Sequence, residues 1–287
     1  MNKILITGGA GLIGSNLCEY LLNQSNNNEI ICVDNFNTGT LNNIKHLQDN
    51  INFRCYEYDI TRPLPDIKIN QIYNLASPTG AGHFKLRPIE TIKANVNGTI
   101  NVLNIAKKLN IPIVHTSTVR TLENNTTYND NACYAESKRC SETICYEYQK
   151  QGVNVKVVRL FNVYGENMRI DDSRVIPTFI RNAIKNETIT VLGDGNQKDS
   201  FCYVDDIVIG LTKLMNIELK QPINMGSNEF ISIKDLAELI IKITNSKSLI
   251  EYKQSDDIKD RLNINIDNNL IDWKPMINLE DGIKKII

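Results

Sequence analysis

Apolar positions along the chain fall into short runs separated by helical repeats. Ile4, Leu5 and Ile6 form a run that stops at Thr7-Gly8-Gly9-Ala10-Gly11-Leu12-Ile13-Gly14, after which Leu17, Leu21 and Leu22 recur at helical spacing. A second run, Glu29 to Val33, ends in Asp34. A third, Asn52 to Asp59, mixes aromatic and polar residues, and a fourth, Gln71 to Ser77, enters the turn-rich stretch Pro78 to Gly82. Ile89, Ile92, Val96, Ile100, Leu103 and Leu109 predict one long helix from Pro88 to Leu109, followed by a fifth strand at Pro112 to Thr118. Residues 119–133 read as polar and irregular, Tyr134 to Lys150 as a helix, and Val155 to Phe161 as a sixth strand. Further helices are expected at Arg174–Lys185, Asp205–Met215 and Ser232–Thr244, the last with Ser232 and Asp235 as a capping pair. Short strands are expected at Thr188–Leu192, closed by Gly193-Asp194-Gly195, and at Ser200–Val204.

Strands alternating with helices predict an α/β protein: a Rossmann-type doubly wound parallel sheet over residues 1–165 and a smaller C-terminal α/β substrate domain over 166–287, with some later segments returning to the first. No repeat or low-complexity linker separates the halves, so a cleft between closely packed parts is expected. At 287 residues the chain is long enough to bury about three quarters of its unfolded surface. Lys plus Arg (32) nearly balance Asp plus Glu (33), and a net charge of −1 gives no field suited to nucleic acid or an anionic membrane. No run of about eighteen apolar residues occurs, and the chain enters its first strand without a charged leader, from which a soluble, cytoplasmic protein is expected. Seven cysteines (18, 32, 55, 133, 140, 145, 202) without C-x-x-C spacing predict free thiols and no metal site.

The candidate chemistry begins at the first turn. Strand, glycine turn and helix follow one another directly. Glycines 8, 11 and 14 permit a tight turn and close approach to a pyrophosphate, which the free N–H groups of the helix N-terminus face. Asp34 lies about twenty residues after the last glycine, where a carboxylate accepts from a ribose 2′-hydroxyl and repels a 2′-phosphate, favouring NAD over NADP. Tyr134 and Lys138 stand four apart on one helix face. A neighbouring ammonium lowers the phenol pKa, so that a tyrosinate can take a proton from a hydroxyl while hydride leaves the same carbon. Thr118 closes the strand before that helix. His115, in an apolar strand, reads as structural, and His46 stands in a polar stretch with no partner indicated.

With these motifs, the segments VDNFNTG (33–39), IYNLASP (72–78), TIKANVNGTINVLNIAK (91–107), YAESKRCSE (134–142), RLFNVYG (159–165), IDDSRV (170–175) and GDGNQKDSFCYVDD (193–206) carry a resemblance. The chain resembles the extended short-chain dehydrogenase/reductases of the NAD-dependent nucleotide-sugar epimerase/dehydratase family, and within it looks most like the UDP-glucuronate decarboxylases. The resemblance implies that Gly8, Gly11, Leu12 and Ile13 line the pyrophosphate. It assigns Asp34, Asn35, Asn37, Thr38 and Gly39 to the adenosine ribose, Asp59 and Ile60 to the adenine, and Leu75, Ala76 and Ser77 to the nicotinamide half. Tyr134 is the implied base, Lys138 tunes it and holds the nicotinamide ribose, and Thr118 shares the substrate proton. Asn162, Arg174, Tyr203 and Arg261 match positions that grip the nucleotide diphosphate or the sugar. A homodimer seamed by the helices from Pro88 and Tyr134 is implied as well.

The sequence also departs from that family. Related decarboxylases and dehydratases carry an acidic residue two places after the threonine; this chain reads Thr118-Val119-Arg120, and the stretch from Thr118 to Tyr134 is shorter than usual. Valine transfers no proton and arginine is never neutral. Asp199 stands where an arginine is expected, with Lys198 beside it as a substitute point charge, and Glu166-Asn167 replaces Pro-Arg, with Arg169 close by. Glu123, Asp130, Cys133 and His83 are candidates for a replacement acid, and Phe179, Phe201 and Tyr203 read equally as core or as a platform for the base. The reading expected on these grounds is C4 redox chemistry on a UDP- or other nucleotide sugar, as a 4-epimerase or 4-keto reductase/dehydrogenase. The alternatives are a decarboxylase or 4,6-dehydratase with a displaced acid, and a non-catalytic relative that binds NAD or the nucleotide sugar.

Overall fold

Ile4, Leu5 and Ile6 are wholly buried, as a strand covered on both faces requires, and their alternation sends them to two different cores. A computed structural model describes residues 1–123, 132–169, 171–255 and 263–287. In chain order its first half comprises β1 (Asn2–Thr7), α1 (Leu12–Gln24), β2 (Asn28–Asp34), β3 (Phe53–Glu57), β4 (Gln71–Asn74), α2 (Ala81–Leu86), α3 (Pro88–Lys93), α4 (Thr99–Leu109), β5 (Ile113–Thr118), α5 (Ala132–Lys150) and β6 (Val155–Leu160). The second half comprises β7 (Asn162–Tyr164), α6 (Val175–Ile184), β8 (Ile189–Leu192), β9 (Lys198–Tyr203), α7 (Val204–Met215), β10 (Ile223–Met225), β11 (Phe230–Ser232), α8 (Ile233–Thr244), β12 (Ile250–Lys253) and α9 (Leu279–Lys285).

Seven strands form the central sheet in the order β3-β2-β1-β4-β5-β6-β10, every pair parallel. Leu5, Ile72, Ile113 and Val157 face Val102, Leu103 and Ala106 of α4 and Cys145 of α5. Ile4, Ile6, Tyr73 and Val114 face the opposite layer, Leu17 and Cys18 of α1 with Ile207 and Leu211 of α7. This is the expected doubly wound sheet. Its strand order reverses between β1 and β4, and a crevice opens outside the carboxyl ends of strands at such a reversal. The smaller sheets are β11-β9-β7, with β9 antiparallel to β11 and parallel to β7, and the parallel pair β12-β8.

Four strands lie outside the expectations: β7, β10, β11 and β12, each three or four residues long and so too short to show a period. β10 gains its place by pairing with β6 in the register Ile223↔Val158, which makes a seventh central strand from beyond the first half. The expected single helix from Pro88 to Leu109 is interrupted by a widened turn, Ala94–Gly98, where Asn95 Nδ2 donates to Ser137 Oγ at 2.9 Å. Ser232 caps α8 as expected, its Oγ accepting from the Asp235 N–H at 3.0 Å. His46 has a partner after all, Glu19 Oε2 at 3.3 Å.

Candidate active site

The first turn packs directly on the strand beyond the reversal. Gly8 has φ +70°, and a Cβ there would lie 2.8 Å from the Ala76 backbone nitrogen; a Cβ on Gly14 would overlap the Gly8 carbonyl oxygen. Only glycine lets the three segments meet. α1 follows Gly11 with no side-chain cap and no acidic residue in its first turn, which leaves its N–H groups to an anion. At the end of β2 Asp34 is buried, its Oδ2 accepting from the Ala10 N–H at 3.0 Å and its Oδ1 from the Phe36 N–H at 2.9 Å. Burial pushes this carboxyl up, against the opposing pull of those backbone donors.

A cavity of about 820 Å³ runs from this turn across the end of the sheet to the loops after β6 and the start of α6. Tyr134 enters it from the first turn of α5, stacked on Phe84 of α2 with ring centroids 5.4 Å apart and beside the Thr118 hydroxyl. Burial pushes the phenol up, while Arg120, Arg174 and the neighbouring Thr118 hydroxyl pull it down. Lys138, one turn on, donates from Nζ to the Thr116 carbonyl at 2.8 Å, and burial lowers its pKa to about 8.

Two buried networks hold this wall. Ser141 Oγ donates to the Lys138 carbonyl at 2.8 Å, so His115 Nε2 must supply the proton of its 3.0 Å contact with Ser141. Nδ1 of His115 is then the acceptor from Asn74 Nδ2 at 3.0 Å, and Asn74 Oδ1 accepts from Thr7 Oγ1 at 2.7 Å. Burial holds His115 well below its usual pKa, consistent with this neutral tautomer, and the chain of bonds links β1 to the helix of Tyr134. In the second network Glu142 accepts from Ser117 Oγ at 2.5 Å and from Arg159 Nε at 2.9 Å, and Thr121 Oγ1 shares its one proton between the Thr118 carbonyl at 2.8 Å and Glu142 at 3.0 Å. It thereby anchors both sides of the Thr118-Val119-Arg120 segment.

A model of the NAD dependent epimerase/dehydratase family matches residues 4–226. The chain belongs to that family. UDP-glucuronic acid decarboxylase 1 of Danio rerio is 38% identical over 302 residues, covering 99% of this chain and 72% of that protein. UDP-glucuronic acid decarboxylase 6 of Arabidopsis thaliana is 36% identical over 298 residues, covering 98% and 86%. Among solved structures, dTDP-glucose 4,6-dehydratase from Bacillus anthracis in complex with NAD superposes with TM-score 0.86 at 27% identity, covering 99% and 95%. UDP-glucuronic acid 4-epimerase from Bacillus cereus in complex with NAD gives 0.83 at 25%, covering 99% and 96%. The resemblance drawn from the sequence is thereby shown. The protein is an enzyme of the NAD-dependent epimerase/dehydratase family, and its cofactor is NAD.

The residues present fit that cofactor. Besides the glycine turn and open helix end, Ser77 Oγ lines the cavity buried and without a hydrogen-bond partner among the described residues, as a ligand-facing hydroxyl would be. Gly8, Gly11, Leu12 and Ile13 line the turn end. Asp34, Asn35, Asn37 and Thr38 line the rim after β2, Asp59 and Ile60 the neighbouring loop, and Leu75 and Ala76 the floor beside Ser77. Gly39 lies behind this wall rather than on it, where a Cβ would come 2.9 Å from Asp34 Oδ2.

Toward the other end Thr118, Asn162 and Arg174 line the cavity; Arg174 is forked onto Asp172, Nη2 to Oδ2 at 2.7 Å. Lys198 does not reach it. Alternation along β9 turns Lys198 outward, while Asp199 and Gln197 face the cavity. Nor does Tyr203, whose fully buried ring packs edge-on against Tyr164 at 5.5 Å with Lys285 over its face. Phe179 and Phe201 do line the cavity. Of the replacement acids considered, His83 lines it, Cys133 points its thiol at the Phe84 carbonyl, and Glu123 lies outside the lining. Arg261 and Asp130 lie outside the described residues. Phe84 went unforeseen, because α2 follows a turn-rich stretch with no helical signal.

Lys138 gives a pH signature. Its folded pKa of about 8 lies below the ordinary 10.5, so between those values the unfolded chain holds more protons and stability rises with pH. The unfolding free energy of the wild type, measured in urea against Lys138→Met, should therefore gain on the variant from pH 8 to pH 10.5. A constant difference across that window would contradict the buried-ammonium assignment.

Proposed function

We propose that the protein oxidises C4 of UDP-glucuronic acid, releases CO₂ from the 4-keto acid and reduces the ketone again, as a UDP-glucuronic acid decarboxylase. The observation that carries the reading is the Tyr134, Lys138 and Thr118 constellation at the end of the sheet, in a chain 38% identical to such a decarboxylase along nearly its whole length. NAD, when bound, supplies the acceptor for the C4 hydride and its return. Tyr134 takes the C4 hydroxyl proton, Thr118 hydrogen-bonds the same oxygen, and the Lys138 ammonium favours the phenolate. The Tyr134 phenol then faces the C4 oxygen while the C5–C6 bond breaks, its electron pair passing into the C4–C5 enolate and CO₂ leaving. Protonation at C5 follows. Val119 and Arg120 offer no proton for that step, so water or His83 is its source in this reading.

The same two residues favour a second reading, in which the carboxyl is retained and the enzyme is a 4-epimerase. Incubation of the purified enzyme with NAD and UDP-glucuronic acid, UDP-glucose, UDP-N-acetylglucosamine or GDP-mannose, read by mass spectrometry, separates them. A product of UDP-glucuronic acid lighter by the mass of CO₂ supports decarboxylation; an isomer of unchanged mass replaces it with epimerisation; loss of water from a hexose would reject both.

The reading extends to a cytoplasmic homodimer. Leu86, Ile89 and Ile92 of α2 and α3 and Tyr146 of α5 are exposed, between 38% and 83%, supplying apolar surface for a four-helix seam. Sedimentation equilibrium at micromolar concentration should give twice the chain mass, and monomer alone would reject the seam. Among the described residues no helix is long and apolar enough to cross a membrane.

A further inference from the structure

Three arginines line the cavity, and two of them are already committed. Arg169 is forked onto Asp171, Nε to Oδ1 at 2.8 Å and Nη2 to Oδ2 at 2.7 Å, and Arg174 is forked onto Asp172. The guanidinium of Arg120 differs: among the described residues it forms no ion pair and no hydrogen bond, its backbone N–H alone bonding the Thr118 hydroxyl at 3.3 Å. It is half-buried, close enough to Tyr134 to act on the phenol electrostatically, and carried on a segment held from both sides by Glu142. A cation in a partly water-excluded wall with no counter-charge among the described residues is suited to an anion brought by the ligand.

The position of that anion follows from the chemistry of the site. Tyr134 and Thr118 converge where a C4 hydroxyl would sit. In a uronic acid the carboxylate is borne on C5, the carbon next to C4, whereas a hexose carries a neutral hydroxymethyl there. A guanidinium two residues after Thr118 on the same wall is thus aimed at the group that distinguishes these sugars, and its fork matches a carboxylate in shape as well as charge. The nucleotide diphosphate is the other anion of such a substrate, but it is attached at C1, across the sugar ring from C4. We propose that Arg120 binds the C6 carboxylate of a nucleotide-linked uronic acid and sets the preference of this enzyme for uronates over neutral hexoses. The inference rests on the C4-redox reading of the site and holds whether the carboxyl is afterwards lost or kept.

Equilibrium binding tests it without turnover. NAD-loaded Tyr134→Phe protein is titrated calorimetrically with UDP-glucuronic acid and with UDP-glucose, then the same is done after adding Arg120→Gln or Arg120→Lys. The parent should prefer the uronate by ~10-fold or more, the scale of one charge-assisted hydrogen-bonded pair. Arg120→Gln should remove most of that preference while changing UDP-glucose affinity less than about threefold, and Arg120→Lys should keep part of it because the charge remains. If the parent prefers the uronate and both variants keep the ratio, the Arg120 assignment is overturned while the C4-redox reading stands. A parent that binds neither sugar nucleotide overturns both. Equal loss of both ligands in Arg120→Gln, at unchanged melting temperature, assigns the residue to the diphosphate and rejects the proposal. Should the Gln variant not fold, Arg120→Lys decides, since an undiminished preference there rejects bidentate recognition.

Discussion

Tyr134→Phe is expected to lower turnover of the active nucleotide sugar by ~10²–10⁴-fold, the range for loss of a positioned acid–base group. The substitution removes only the oxygen: the ring keeps its stack on Phe84, and the Lys138 hydrogen bond to the Thr116 carbonyl does not involve the phenol. Bound NAD, measured by absorbance after release from the protein, should be unchanged. The chemical role is therefore separable from folding and cofactor binding. A variant that forms product within about twofold of the wild-type rate would remove Tyr134 from the mechanism.

Glu142→Ala should cost about 3–5 kcal/mol of stability, because it leaves the Arg159 guanidinium in a poorly hydrated place without its carboxylate. The side chains of Arg159 and Glu142 are 19% and 8% exposed, and Ser117 loses its acceptor at the same time, while Thr121 keeps the Thr118 carbonyl. Urea unfolding monitored by circular dichroism gives the number, and a loss under about 1 kcal/mol would show that water replaces the carboxylate at no great penalty. Glu142→Gln should fall between, since the amide oxygen still accepts from one or two of the three donors. The network also sets the wall that bears Thr118 and Arg120, so a folded Glu142 variant is a poorer catalyst without having lost any group that meets substrate.

The cofactor end of the molecule was legible in the sequence because its determinants are local. Gly8, Gly11, Gly14 and Asp34 act within one strand-turn-helix-strand unit, and backbone conformation, which glycine governs, is written in the residues that adopt it. The Tyr134/Lys138 pair was legible for the same reason, four residues on one helix. The substrate side was legible only in part. Asn162 and Arg174 were placed on the cavity wall, yet Lys198 and Tyr203 were not, since which face of β9 meets the cavity is decided by its pairing with β7 and β11 and not by its own composition. Neither the stack of Phe84 on Tyr134 nor the anchoring of residues 117–121 by Glu142 has a local signature, because each joins residues at least twenty positions apart. Arg120 stood out in the sequence as the absence of an acid. Its cavity position, with a guanidinium unpaired among the described residues, turns that absence into the presence of a charge.

The strand β10 completes the central sheet from a segment made long after its neighbour β6. β6 is a central strand only because Ile223–Met225, some sixty residues later, lies along its outer side. Until that segment leaves the ribosome, β6 is an open edge with unpaired amides and carbonyls, able to template the pairing of another nascent chain. The cofactor half alone would end in that open edge. A polypeptide stopped at residue 165 would carry every glycine of the dinucleotide turn and still present an unfinished sheet, so the two halves of this enzyme are partners in folding before they are partners in catalysis.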